Sequence, residues 1–200
     1  MCWSFKASII TWILATITAL YLLKRREKND IVMGCLVLVY ASMQLWESLM
    51  WYDQKCGTMN LIGTRMAYIA LWSHILAIAV GLYIEYKVVP PIFLGIGFLV
   101  LAFILQPKTW QCSKPGSNKH LVWGFDPSFY TLVFSVAIIL CMYYIRPLST
   151  AGIISGLFLT SFLFSILYDN NSGSVGSFWC WVCAIFSFVF VFVNLKKPLE

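Results

Sequence analysis

Long apolar runs separated by short polar turns dominate the chain. They fall at about 5–23, 31–51, 64–84, 88–105, 129–145, 150–168 and 175–195. At 1.5 Å rise per residue, about 20 residues cross a hydrocarbon core of roughly 30 Å. Polarity does not alternate within the runs, so they do not read as the strands of a membrane barrel. The pattern predicts an all-α polytopic membrane helix bundle, with seven transmembrane helices in a single domain covering 1–200. The first run is long and ends on Lys24, Arg25 and Arg26, not on a small-residue cleavage site, so it reads as a retained helix. Pro90 and Pro91 open the fourth helix, where a missing N–H costs little.

Composition supports the membrane reading. The 200 residues are 60% hydrophobic and 11% charged, whereas soluble domains carry roughly 25% charged residues. The net charge of +6 does not indicate nucleic acid. Its basic residues sit at the ends of apolar runs, where they set orientation, and form no patch with interleaved aromatics. With seven spans, one side holds Lys24, Arg25, Arg26, Lys28, Lys87, Arg146, Lys196 and Lys197. The other holds Lys6, Lys55, Arg65, Lys108, Lys114 and Lys119. The first set lies in shorter segments and includes the dense cluster after the first helix, which predicts an N-out, C-in protein.

The longest connection, Gln106 to Pro127, lies on the outer side in this topology, and loops of such length are commonly functional or disordered. Trp110 and Trp123 near its ends read as interface anchors, together with Trp3, Trp46, Trp51 and Trp179. Cys56 and Cys112 fall in the two largest outer loops. In an oxidising compartment they could form a disulfide, and the other reading is two free thiols. A metal site from Cys56, Cys112 and His120 matches no known ligand spacing. Cys35, Cys141, Cys180 and Cys183 read as small buried hydrophobes.

Ionisable groups at membrane depth are functional candidates. Glu47 is the one carboxylate well inside an apolar run. Gln44, Tyr40 and Trp51 share its helix face. Arg65, expected at the outer start of the third helix, is its candidate partner, with Tyr68 and Trp72 continuing the Arg65 face. Gln44, Glu47, Arg65, Trp72, Ser177 and Trp181 could together line a ligand-binding pocket open to the outer side. Glu47 could equally be a packing residue, fixing one helix against another. His74, deeper in the third helix, is either a hydrogen-bonded structural histidine or, with Glu47, part of a proton path. Gly95 and Gly97 on the fourth helix, and Gly152, Ser155 and Gly156 on the sixth, are expected where helices approach closely. Asn170-Asn171-Ser172 matches a glycosylation sequon in a very short outer loop.

A retinal Schiff base would need a lysine within the last helix. The nearest are Lys196 and Lys197 at its end, so retinal is not expected, nor is any other cofactor. Two segments, Met43-Gln44-Leu45-Trp46-Glu47 followed by Trp51, and Gly176-Ser177-Phe178-Trp179-Cys180-Trp181, resemble stretches in uncharacterised multi-pass proteins of large DNA viruses of algae and protists. That resemblance implies a host-cell or virion membrane and no assigned activity. The expected function is a receptor-like or transport-like membrane protein binding a small molecule, lipid or ion. The alternatives are a proton or cation pathway through Glu47 and His74, and, with least support, a membrane-embedded enzyme. Partners are the lipid bilayer and the ligand, not nucleic acid.

Overall fold

The computed structural model describes residues 4–126, 130–169 and 174–193. Trp3, Pro127, the sequon, Lys196 and Lys197 lie outside the described residues, as do the side chains of Asp169, Trp179, Cys180 and Cys183. The chain is predominantly helical: α1 (Phe5–Arg25), α2 (Asp30–Tyr52), α3 (Thr58–Tyr86), α4 (Pro90–Leu105), α5 (Tyr130–Tyr144), α6 (Leu148–Asp169) and α7 (Val175–Val193). Among the described residues, Phe5–Arg25, Asp30–Tyr52, Thr58–Tyr86 and Leu148–Leu167 are long and apolar enough to cross a bilayer. Pro90–Leu105 and Ser135–Tyr144 are shorter apolar helices.

Local chemistry sets the helix ends. The hydroxyl of Ser4 accepts from the Ala7 N–H at the start of α1, and Lys24 and Arg25 occupy its last turn. The α3 helix begins at Thr58, a turn and a half before the expected position. Its N-cap, Gly57, has no capping side chain, and Asp53 at the end of α2 does the work instead. The Asp53 carboxylate accepts from the N–H groups of Gly57 (3.0 Å), Met59 (3.1 Å) and Asn60 (3.3 Å). The 29 residues of α3 extend about 44 Å, longer than the hydrocarbon core.

Helices α1 to α4 pack in sequence order. Helix α5 lies against α3 and α6, and α7 closes against α6, α1 and α2. The core runs along α2 and α3, where Tyr40, Met43, Met50, Leu71, Trp72, Ile75 and Ile78 are buried. Gly95 lets α4 approach α3, since a Cβ there would lie 2.7 Å from the Leu76 Cα. Among the described residues, a Cβ at Gly97, Gly152 or Gly156 would meet nothing within 4 Å. The expectation of close helix contact therefore holds at Gly95 and fails at those three, which face away from neighbouring helices.

The connection after α4 is folded. It carries an antiparallel hairpin, β1 (Lys114–Pro115) with β2 (Leu121–Val122), pairing Lys114 with Val122. This defines a loop end of the bundle. At the opposite end Arg25 donates to both Asp30 carboxylate oxygens at 2.7 Å and to the Val191 carbonyl of α7 at 2.8 Å. Asn29 accepts from the Tyr86 hydroxyl, donates its backbone N–H to Glu85 and its side-chain amide to the Arg146 carbonyl. The α1–α2 turn thus gathers the ends of α3, α5 and α7.

Candidate functional site

Three anchors fasten the loop over the ends of α2, α3 and α7. The first is covalent: Cys56 and Cys112 are joined, with Cα atoms 5.5 Å apart. The second is Asn60, fully buried on α3. Its amide nitrogen lies 3.0–3.2 Å from the carbonyls of Met50, Asp53 and Ser113, and its oxygen accepts from the Ser113 N–H at 2.9 Å. The hydroxyls of Thr64 and Ser113 meet at 2.9 Å, and Ser113 Oγ also accepts from the Gly124 N–H. The third anchor is Trp123. Its indole N–H donates to Glu47 Oε1 at 3.1 Å, while the Gln44 amide donates to Glu47 Oε2 at 3.0 Å. All three side chains are buried, Glu47 and Gln44 at 0% exposure.

Two contacts tie α7 to the same roof. Gly176 lies against the Trp123 ring, where a Cβ would come within 2.5 Å of Cζ3. Ser174 donates to the Asn118 side-chain oxygen in the hairpin turn at 3.1 Å. Ser177, beside Gly176, is buried at this end.

The six expected pocket residues do not all share one pocket: Arg65 and Trp181 line other surfaces. Gln44 and Glu47 are bonded, and Ser177 is buried at the loop end of α7. Arg65 does not pair with Glu47. It is exposed, two turns inside α3, with its guanidinium 5.7 Å from the centre of the Trp110 ring. Helical rotation is the reason: Arg65 shares a stripe with exposed Ile62 and Ile69, while Thr64, Tyr68 and Trp72 turn inward. Trp72 packs near Phe98 of α4, ring centres 6.0 Å apart, and near Tyr68 one turn earlier on α3, at 6.1 Å. Trp181 lines a groove against α1 with Thr11, Leu14 and Phe188. Trp123, expected as an interface anchor, is instead a buried hydrogen-bond donor. With both sulfurs bonded to each other, Cys56 and Cys112 offer no thiolate to a metal, and among the described residues no cluster of three His, Cys, Asp or Glu could hold one.

Two clefts flank Trp123 and Gly124. One, of about 430 Å³, is lined by Tyr68, Thr109, Gln111, Trp123, Phe125 and Asp126 among others. The other, of about 450 Å³, reaches Leu61, Trp110, Lys114 and Val122. In the first, Trp123 and Phe125 stack at 5.2 Å and 25°, and Tyr68 meets Phe125 edge-on at 5.3 Å. Flat apolar walls with a carboxylate, an amide and a hydroxyl at the rim suit a small ligand with an apolar body and a donor or cationic group.

Comparison with known protein families, curated proteins and solved structures finds no match.

Deeper in the bundle, Tyr40 shares the stripe of Gln44 and Glu47 on α2, and the His74 ring meets Tyr40 edge-on at 4.6 Å. The His74 Nδ1–H donates to the Leu71 carbonyl at 2.8 Å, which leaves Nε2 as the basic nitrogen. The neighbouring Ser73 hydroxyl donates to the Ile69 carbonyl on the exposed face of α3, so Ser73 and His74 do not form a nucleophile–base pair.

The roof was readable in one respect that the sequence analysis missed. From Leu121 to Asp126 the large apolar residues Leu121, Trp123 and Phe125 alternate with Val122, Gly124 and Asp126, and in the structure the first three are buried and the last three are not. That alternation is the signature of a half-buried extended segment. Asn60, Thr64 and Ser113 carried no comparable signal.

Proposed function

We propose that this chain is a seven-helix integral membrane protein, N-out and C-in, whose roofed outer cleft binds a small ligand in a receptor-like or transport-like role. The observation that carries the reading is Trp123, which forms a wall of the cleft, bonds the buried Glu47 carboxylate of α2 and lies against Gly176 of α7. A ligand leaning on that ring bears directly on the helix interface below it. The disulfide supports placing the loop end in an oxidising compartment, and the basic cluster after α1 supports placing the opposite end in the cytoplasm.

Native mass spectrometry from mild detergent, after incubation with cell extract, tests the ligand. Wild type should carry a bound mass that Asp126→Asn and Trp123→Ala lose. A wild-type protein that carries nothing beyond detergent and lipid sinks the assignment. Topology is tested separately with a cysteine placed at Lys108. An impermeant thiol reagent should label it in intact cells, and labelling only after permeabilisation would reverse the orientation.

A second reading is a proton path. The file from Glu47 through Gln44 and Tyr40 to His74 favours it. Below His74 the interface is Met33, Leu36, Val37, Ile78 and Leu82, all buried and apolar, so flux would require water to bridge that stretch. In liposomes, a pH-driven flux abolished by His74→Phe would favour this reading over the ligand cleft.

A further inference from the structure

A second concavity lies on the outside of the bundle, between α3 and α4. It measures about 390 Å³ and is lined by Arg65, Tyr68, Ile69, Leu99, Ala102, Phe103, Gln106 and Trp110. Its two halves differ in chemistry. The body is apolar: Ile69, Leu99 and Phe103 face it, and Phe103 is 74% exposed. Tyr68 presents only its ring, because its hydroxyl donates to the Ala102 carbonyl at 2.8 Å. The rim is polar: the Arg65 guanidinium stands beside the Trp110 ring, with Gln106 opposite at the end of α4.

Arg65 is the informative residue. It is exposed, and among the described residues no carboxylate lies within ion-pair distance of it. Ile62 and Ile69, one turn to either side on the same stripe, are exposed too. The cation is therefore set into an apolar surface, at the level where α4 ends and the polar loop begins. That is the depth at which hydrocarbon gives way to headgroups, where an arginine meets phosphate. A guanidinium offers a planar fork that matches a phosphate in two-point contact.

We infer that this groove seats one anionic glycerophospholipid from the leaflet at the loop end. The phosphate lies on Arg65, the glycerol near Gln106, and one acyl chain runs between Ile69, Leu99 and Phe103. A net-negative lipid fits better than a zwitterionic one, since choline would bring a second cation to a rim that already carries one. The site stands apart from the roofed cleft, with Tyr68 as the wall between them, and does not depend on that cleft having a ligand.

The test uses the full-length protein, stripped of lipid in detergent and titrated with phosphatidylglycerol or phosphatidylcholine under native mass spectrometry. Wild type should bind one phosphatidylglycerol about tenfold more tightly than phosphatidylcholine, the margin of one charge-assisted bond. Arg65→Gln should erase that preference and Arg65→Lys should keep most of it. Leu99→Trp, which fills the apolar body and leaves the charge, should lower affinity for both lipids. Helical content and an intact disulfide confirm the fold of each variant. Equal binding of the two lipids by wild type, or an unchanged preference in Arg65→Gln, overturns the inference. So does inorganic phosphate displacing phosphatidylglycerol at equal concentration, which would make the site a headgroup site without a chain.

Discussion

Exchanging Asn60 for aspartate changes almost no shape and reverses the chemistry of the loop anchor. The asparagine amide has two hydrogens facing three carbonyls, those of Met50, Asp53 and Ser113, so one hydrogen is shared. Its oxygen accepts from the Ser113 N–H. Alanine removes these interactions inside a buried site. At about 1 kcal/mol for each of the two donors and the acceptor, the loss is about 3 kcal/mol. At 2–4 °C per kcal/mol for a chain of this size, the melting temperature falls by roughly 6–12 °C. Aspartate keeps the acceptor and points a second oxygen at three carbonyl oxygens. It should cost at least as much as alanine at neutral pH, despite fitting the space. Intrinsic tryptophan fluorescence during thermal unfolding in detergent reads the difference, and trypsin cleavage at Lys108 and Lys119 reports release of the loop. An Asn60→Asp protein melting within 2 °C of wild type (an order-of-magnitude threshold of about 1 kcal/mol) would refute the reasoning, since shape and not donation would then hold the loop.

Four further outcomes follow from the same geometry. Cys56→Ser opens a covalent tie across a sequence separation of 56 and should cost about 4 kcal/mol on chain-entropy grounds, so reducing agent should lower the melting temperature of wild type and leave the variant unchanged. Trp123→Phe keeps an aromatic ring and leaves Glu47 Oε1 short of a donor, a loss of about 1–3 kcal/mol measurable by denaturant or thermal unfolding. Arg25→Ala strips a buried carboxylate of its two-point partner and should destabilise by about 3–5 kcal/mol, while Arg25→Lys recovers only part because it lacks the fork. On α4, Gly95→Ala should cost about 1–3 kcal/mol by pushing on the Leu76 backbone, whereas Gly97→Ala should be neutral or gain up to about 1 kcal/mol; equal effects at the two positions would contradict the packing described.

The helices were legible because a long apolar run has few other ways to satisfy its backbone in a bilayer. Where a run ended at polar residues, legibility failed, as at α3. Thr58 and Asn60 read as loop residues, yet they are helical because Asp53 caps the turn and the folded loop takes up the Asn60 amide. Gln44 and Glu47 were found by helical spacing alone. The partner was not: nearest opposite charge pointed to Arg65, while rotation of α3 sends that residue outward and a neutral indole from another segment arrives instead. Arg25 shows the same limit. Read by position it is one of four closely spaced basic residues, and only the three-dimensional structure sets it apart from Lys24 and Arg26 as the partner of buried Asp30.

The roof also carries an order of assembly. Met50, Asp53, Cys56, Asn60, Thr64, Cys112 and Ser113 all precede α5, so the covalent tie and the asparagine anchor can close while the C-terminal half of the chain is still being made. Trp123 finds Glu47 at the end of α2, but its ring also meets Gly176 on α7, which emerges later. The half-built roof thus presents an indole to whichever helix arrives next, and only a residue without a side chain at the start of α7 lets that helix lie flush against it.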